Sequence, residues 1–174
     1  AEGDVSERFQ IPQRLYGRDA EIAALLAAFE RTRRGSREIV LVAGYSGIGK
    51  SALVNEVQKP IVKARGAFLS GKFDQLSRNI PYASLIQAFQ GLVRQLLAEP
   101  AESLARWREK LLAALGPNAQ VIVEVLREVE LIVGKQPPLP ELPAAEAQNR
   151  FNFVVESFVR TFATADHPLV LFLD

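Results

Sequence analysis

The sequence predicts an α/β fold in which helices cover both faces of a mostly parallel sheet, giving three layers. Two short apolar runs, at residues 38–43 and 169–174, are rich in Val, Ile, Leu and Phe and have the length of buried strands. The long stretches between them carry apolar residues at helical spacing. Strands joined through helical crossovers pair in parallel, which leads to this class.

The composition describes a globular chain and excludes several kinds of site. Of 174 residues, 48% are hydrophobic and 24% charged, which suits one domain with a sizeable core. With 21 basic and 20 acidic residues, the net charge of +1 does not favour nucleic acid as a partner. The absence of cysteine excludes disulfides and thiol catalysis. No apolar stretch is long enough to span a bilayer and the polar start is no signal peptide, so we expect a cytoplasmic protein.

The first half of the chain predicts two helices and two strands. Residues 1–14 are polar and are expected to be a linker, so the domain begins at residue 15. A helix is expected from Asp19 to Arg34, with Gly35 as its C-terminal cap. The remaining predicted elements are the strand 38–43, a helix over about 50–64 and a second strand over 67–73.

The second half is dominated by amphipathic helices. After a polar turn at 74–81, helical apolar stripes occupy residues 85–97, 101–115, 121–129 and 144–164. Because residues 121–129 include several β-branched side chains, a strand is an alternative to a helix there. Gly116-Pro117-Asn118 should break the second of these helices, and the proline-rich stretch 134–143 should be a loop.

A glycine-rich loop directly follows the predicted strand 38–43 and opens the next helix. Strand, glycine loop and Lys-Ser ending together are typical of a phosphate-binding P-loop. The glycines allow backbone N–H groups to turn toward phosphate oxygens, Lys50 brings a positive charge to the β- and γ-phosphates, and the Ser51 hydroxyl can ligate Mg²⁺. The sequence therefore predicts a nucleoside triphosphate site made by Gly44, Tyr45, Ser46, Gly47, Ile48, Gly49, Lys50, Ser51 and Ala52.

The last predicted strand supplies a second half to this site. It ends in Asp174, which a parallel sheet would present at its carboxyl edge. A carboxylate there can hold Mg²⁺ through coordinated water opposite Ser51, because Mg²⁺ retains several waters and uses few protein carboxylates. Lys50 and Asp174 are thus the predicted catalytic residues, with Ser51 and Asp174 as the metal pair.

Three segments carry a family resemblance: Leu15 to Glu21, Gly44 to Ser51, and Leu169 to Asp174. Together they resemble the nucleotide-binding module of AAA-related signal-transduction ATPases. More narrowly, the chain is similar to the predicted ATPase domain of large bacterial hybrid kinases, through segments 70–75, 78–82 and 146–151. The resemblance implies ATP rather than GTP, neighbouring kinase and sensor domains as partners, and a place for Arg18 near the adenine. A solvated arginine after a tight turn is the competing interpretation of Arg18.

The chain departs from that family by ending at Asp174. The family has, after this position, a further acidic residue, a strand with a polar sensor residue, an arginine finger and a helical lid. We therefore expect residues 15–174 to be the N-terminal part of a longer domain that binds Mg-ATP with little turnover. The sheet should be incomplete, because the sensor strand lies between the strands at 38–43 and 169–174 in this family. An open edge of that kind also favours self-association.

The functional hypothesis is an ATP-driven switch that passes a signal to neighbouring domains. One alternative is a scaffold that binds nucleotide without turnover and uses a helical insert, residues 82–130, as its interaction surface. A P-loop kinase acting on a small molecule and a GTPase are further alternatives.

Overall fold

The computed structural model describes residues 17–73, 82–164 and 167–174. The predicted linker 1–14 and polar turn 74–81 lie outside these ranges. The helices are α1 (Asp19–Arg33), α2 (Lys50–Lys63), α3 (Ala83–Leu97), α4 (Ala101–Leu115), α5 (Ala119–Val125), α6 (Glu130–Val133) and α7 (Ala144–Phe162). Two strands, β1 (Ala67–Gly71) and β2 (Leu169–Leu173), complete the regular structure of the described residues. The described chain is thus mostly helical, with a small sheet.

The sheet is parallel, as predicted. Ala67 lies opposite Leu169 and Gly71 lies opposite Leu173. Beyond the last pair, the Asp174 N–H donates to the Gly71 carbonyl at 3.0 Å, so the pairing continues to the end of the chain. The strand expected over 67–73 ends at Gly71, and both strands were otherwise placed correctly.

The segment 38–43 was expected to be a strand, and this prediction is wrong for the described structure. It has no regular secondary structure and pairs with neither β1 nor β2. Ile39 and Leu41 are 100% and 88% exposed, respectively. A cavity of about 270 Å³ lies between Val40 and Val42 on one side and β2 on the other. An apolar, β-branched run becomes a strand only beside a partner, because its backbone groups need a ladder to bond to.

Helices pack on both faces of the two-stranded sheet. On one face, Phe68 and Val170 contact a cluster formed by Phe29 of α1 with Val57 and Ile61 of α2. On the other face, Leu69, Leu169 and Leu171 join the larger core that α3 to α7 supply. The alternation follows from the two-residue period of a strand, which sends neighbouring side chains to opposite faces.

Aromatic side chains hold the large helical core together. Phe89 meets Phe158 edge-on with ring centroids 5.2 Å apart, and Trp107 stacks on Phe162 at 5.2 Å. These arrangements are the favoured ones for aromatic pairs. The predicted apolar stripes of the helices at 85–97, 101–115 and 144–164 are therefore confirmed as core faces.

The apolar stripe at 121–129 is helical. The alternative prediction of a strand, based on its β-branched residues, is therefore wrong. Helix α5 ends at Val125, because Leu126 leaves the helical region with φ −136° and ψ 79°. A short 3₁₀ turn over Arg127–Val129 and helix α6 follow. The predicted break at Gly116–Asn118 is a 3₁₀ turn, and 134–143 has no regular structure, as expected for a loop.

We predict that Gly71→Ala destabilises the fold. Gly71 is buried, and a Cβ added there would overlap the backbone carbonyl of Ser84 at the start of α3. Overpacking against backbone costs about 1–3 kcal/mol, measurable by urea unfolding.

Gly91→Ala is the matched control, because a Cβ at Gly91 in α3 meets no atom within 4 Å. An alanine in a helix interior is favoured over glycine by about 0.5–1 kcal/mol, so this variant should gain stability. Equal unfolding midpoints for the two variants would contradict the close approach of β1 to α3.

Candidate functional site

The glycine-rich loop leads from segment 38–43 into helix α2. Gly47 and Gly49 adopt φ angles of 80° and 93°, which side chains other than glycine rarely tolerate. At Gly44, a Cβ would lie only 3.0 Å from the Ile48 side chain, so the loop also closes tightly at its start. A single turn bond, from the Ile48 N–H to the Tyr45 carbonyl at 3.3 Å, lies inside the loop. Three predicted glycines thus occupy positions that disfavour a side chain.

Helix α2 presents its N-terminus to the loop. Gly49 is the N-cap residue and no side chain caps the helix. The first helical bond of α2 joins the Leu53 N–H to the Gly49 carbonyl at 2.9 Å. The N–H groups of Lys50, Ser51 and Ala52 therefore have no intrahelical partner. Free N–H groups and the positive end of the helix dipole suit an anion such as phosphate.

Lys50 folds back across the loop. Its Nζ donates to the carbonyls of Gly44 and Tyr45, each at 3.1 Å. An ammonium group has three donors, so a third remains for another acceptor in this pose. The positive charge therefore lies at the mouth of the loop, where the sequence predicts the β- and γ-phosphates.

Ser51 and Asp174 meet although they are 123 residues apart, and the Ser51 hydroxyl donates to Asp174 Oδ2 at 2.7 Å. Helix α2 positions the serine in its first turn, while the pairing of β2 with β1 positions the aspartate. A hydroxyl and a carboxylate are oxygen ligands of the kind that Mg²⁺ prefers. The two residues predicted to hold the metal are thus adjacent, and both are exposed.

Arg18 also reaches the loop. Its Nη2 donates to the Ile48 carbonyl at 2.8 Å, from a position one residue before α1. The family resemblance implied a place for Arg18 near the adenine, with a solvated arginine as the alternative. Neither interpretation included this contact, because its acceptor is a backbone atom. Of the other predicted loop residues, Tyr45 is 88% exposed, and Ser46 and Ala52 are exposed too.

An ion pair ties α1 to segment 38–43. Both Nε and Nη2 of Arg31 donate to the Glu38 carboxylate, at 2.8 and 3.0 Å. These bonds hold the pKa of Glu38 below its ordinary value and raise the pKa of Arg31. The main cause in both cases is the hydrogen bond between them, with charge attraction as a smaller contribution. Sequence spacing did not indicate this pair, because a turn at Gly35 separates its members.

Comparison with known proteins identifies the family of the chain. The family model described as AAA ATPase domain matches residues 14–174. The chain is also 40% identical over 172 residues to a Dictyostelium discoideum protein named hybrid signal transduction histidine kinase G. That alignment includes 98% of this chain and 5% of the relative, so the chain spans a small part of that protein. No solved structure matches the chain.

These matches bear on the predicted family. The AAA-related assignment and the link to hybrid histidine kinases are confirmed. The restriction to bacterial proteins remains a prediction, because this relative is from Dictyostelium.

Among the described residues, no helix is both long and apolar enough to cross a membrane.

We predict that the pKa of the Glu38 carboxyl lies below that of an ordinary glutamate and returns toward the ordinary range in Arg31→Gln, because the hydrogen bonds from Arg31 are lost. A lowered folded-state pKa adds stability that is complete above the unfolded-state pKa. That stability is lost as the pH falls through the folded-state value. Carboxyl-carbon NMR titration of both proteins measures the shift.

Arg33→Gln is the control, because Arg33 pairs with Glu30 rather than with Glu38. If Glu38 titrates identically in the unmutated chain and in Arg31→Gln, the ion pair does not hold segment 38–43 to α1.

Proposed function

Because the chain belongs to the AAA ATPase domain family, we propose that it is the ATP-binding module of a signalling or regulatory ATPase. The relative's name, a hybrid signal transduction histidine kinase, supports a signalling context. In this proposal, the partners of the module would be neighbouring kinase and sensor domains of a larger protein. In such a switch, ATP binding orders the module and hydrolysis resets it.

The contact between Ser51 and Asp174 carries this proposal. A glycine loop alone could be a flexible turn, and a strand alone can end in aspartate by chance. Here the loop's last hydroxyl and the strand's terminal carboxylate are 2.7 Å apart. That convergence suits a Mg-nucleotide site, because Ser51 and Asp174 would hold the cation beside the loop, where it would offset phosphate charge.

The roles of the individual residues follow from their positions. Backbone N–H groups of Gly47, Gly49 and the first turn of α2 would hold phosphate oxygens, and Lys50 would exchange its carbonyl partners for them. Ser51 and Asp174 would hold the Mg²⁺, which when bound neutralises the charge that develops on the phosphates. Arg18 completes the predicted nucleotide site, whose members remain Arg18, Gly44, Tyr45, Ser46, Gly47, Ile48, Gly49, Lys50, Ser51 and Ala52.

We further propose that the three-layer sheet is completed by a strand from a longer parent protein. Three observations support this: segment 38–43 is unpaired among the described residues, a cavity separates it from β2, and helices pack on both sheet faces. A relative of which this chain spans 5% has ample further sequence. Efficient hydrolysis would then draw on residues outside this chain, including one that orients the attacking water.

We predict Lys50-dependent binding of Mg-ATP. Lys50→Ala should weaken binding about 10- to 150-fold, because a charged hydrogen-bond donor contributes about 1.5–3 kcal/mol. Lys59→Ala, at an exposed lysine of the same helix, is the control and should bind Mg-ATP as tightly as the unmutated chain does. Isothermal titration calorimetry measures all three affinities.

Turnover should appear only in a longer piece of the parent protein, measured as phosphate release. A longer, folded protein that binds ATP through Lys50 but releases no phosphate would favour a nucleotide-binding scaffold. Binding that does not depend on Lys50 would overturn the proposed site.

We predict that Asp174→Asn weakens the Mg²⁺ dependence of ATP binding. The change removes the charge but keeps the shape, and loss of a residue that orients a bound metal typically lowers metal affinity about 10- to 100-fold. Ser51→Ala should act in the same direction. The readout is the ratio of ATP affinities measured with Mg²⁺ and with EDTA.

Ser157→Ala is the control for the serine change, because Ser157 bonds to Phe153 within α7. An unchanged ratio in both Asp174→Asn and Ser51→Ala would rule out the pair as the metal site.

A further inference from the structure

We propose that Arg18 is a positioning residue of the nucleotide loop, which presets the Gly49 N–H for a phosphate oxygen. Its guanidinium donates to the Ile48 carbonyl at 2.8 Å. This inference rests on the proposed ATP-binding function and assigns Arg18 an action on the phosphate end of the ligand. The class of ligand it serves is any polyphosphate that fits the loop, whatever base it carries.

The first step concerns the peptide between Ile48 and Gly49. In a planar trans peptide, the C=O and the following N–H point in opposite directions. A donor fixed on the Ile48 oxygen therefore also fixes the direction of the Gly49 N–H. Because Arg18 binds the Ile48 carbonyl oxygen, the Gly49 N–H points away from Arg18, on the opposite side of the peptide. Gly49 directly precedes α2, whose free N–H groups form the rest of the anion site.

The second step is that this peptide has little else to hold it. Gly47 and Gly49 flank Ile48, and glycine imposes almost no preference on φ, so peptides beside it reorient at low cost. The internal bond of the loop leaves from the Ile48 N–H and is long, at 3.3 Å. The bonds from Lys50 go to Gly44 and Tyr45, at the other end of the loop. A charge-assisted bond from a guanidinium is about twice as strong as a neutral one, so Arg18 is the strongest described contact on this peptide.

The third step is that Arg18 is itself anchored. It is the N-cap residue of α1, and its carbonyl accepts the Ile22 N–H at 3.0 Å. Helix α1 packs on α2 through Phe29, which contacts Val57 and Ile61 in the smaller core. The guanidinium therefore extends from one packed helix to the loop that opens its neighbour. The position of the Ile48 carbonyl is thereby tied to the body of the domain.

The dependence of binding on the ligand's base distinguishes a loop-positioning arginine from one that contacts adenine. An arginine that contacts adenine acts on ATP and leaves GTP or a bare polyphosphate unaffected. An arginine that shapes the loop acts equally on every ligand with the same phosphates. It also changes the Gly49 amide before any ligand is added.

The test compares Arg18→Ala, Arg18→Lys and the control Arg33→Ala, whose arginine lies on α1 and pairs with Glu30. Affinities are measured by calorimetry for Mg-ATP, Mg-GTP and Mg-tripolyphosphate. Arg18→Ala should weaken all three by a similar factor of about 10, since a charged hydrogen bond is lost. Arg18→Lys should recover part of each loss, because an ammonium can still donate, and Arg33→Ala should change none.

A second readout needs no nucleotide. In the ligand-free chain, the NMR resonance of the Gly49 amide should shift in Arg18→Ala, but not in Arg33→Ala, because the direction of that N–H changes only when the Ile48 carbonyl loses its donor. An unchanged Gly49 amide overturns the inference, even where ATP binds normally.

The binding results distinguish the remaining outcomes. A loss confined to Mg-ATP would overturn the inference in favour of adenine contact, and no loss for any ligand would overturn it outright. If the folded, unmutated chain binds none of the three ligands, the proposed function itself fails. The Gly49 amide still reports whether Arg18 orders the loop.

Discussion

The parallel pairing of β1 with β2 is the contact on which the candidate site depends. It joins parts of the chain that are separated by five helices and brings Asp174 beside the start of α2. The bond from the Asp174 N–H to the Gly71 carbonyl places the aspartate's backbone against the end of β1. The meeting of Asp174 with Ser51 therefore follows from sheet register, because a slip of one residue would turn the carboxylate to the opposite face.

Close packing around this pairing explains why small residues occur where they do. Gly71 leaves room for the Ser84 carbonyl, so α3 begins directly against the carboxyl end of β1. On the other face, α1 and α2 form one packed unit over Phe68 and Val170. The loop that opens α2 is thereby attached to this packed unit. Its glycines permit the required turns, while Lys50 and Arg18 limit the freedom that the glycines allow.

Much of the fold and site could be predicted from the sequence because the signals are local. The stripes of α3, α4 and α7 repeat at the helical period, and Gly44 to Ser51 combine glycines, lysine and serine at fixed spacing. The stripe at 121–129 was ambiguous, because Val and Ile suit both structures, and packing against α7 favours the helix. Segment 38–43 was predicted wrongly for a related reason: its residues favour a strand, yet a strand also requires a neighbour.

The sequence by itself determined most of the helices and the two paired strands, and it singled out Lys50, Ser51 and Asp174 as candidate residues of a phosphate-binding loop. Only the tertiary structure decided that Ser51 and Asp174 touch, that Arg18 reaches the Ile48 carbonyl, and that Arg31 pairs with Glu38. The physical reason is that side-chain type and spacing act over a few residues. Contacts between distant segments depend on how helices and strands pack, and a backbone acceptor such as the Ile48 carbonyl leaves no trace in residue identity.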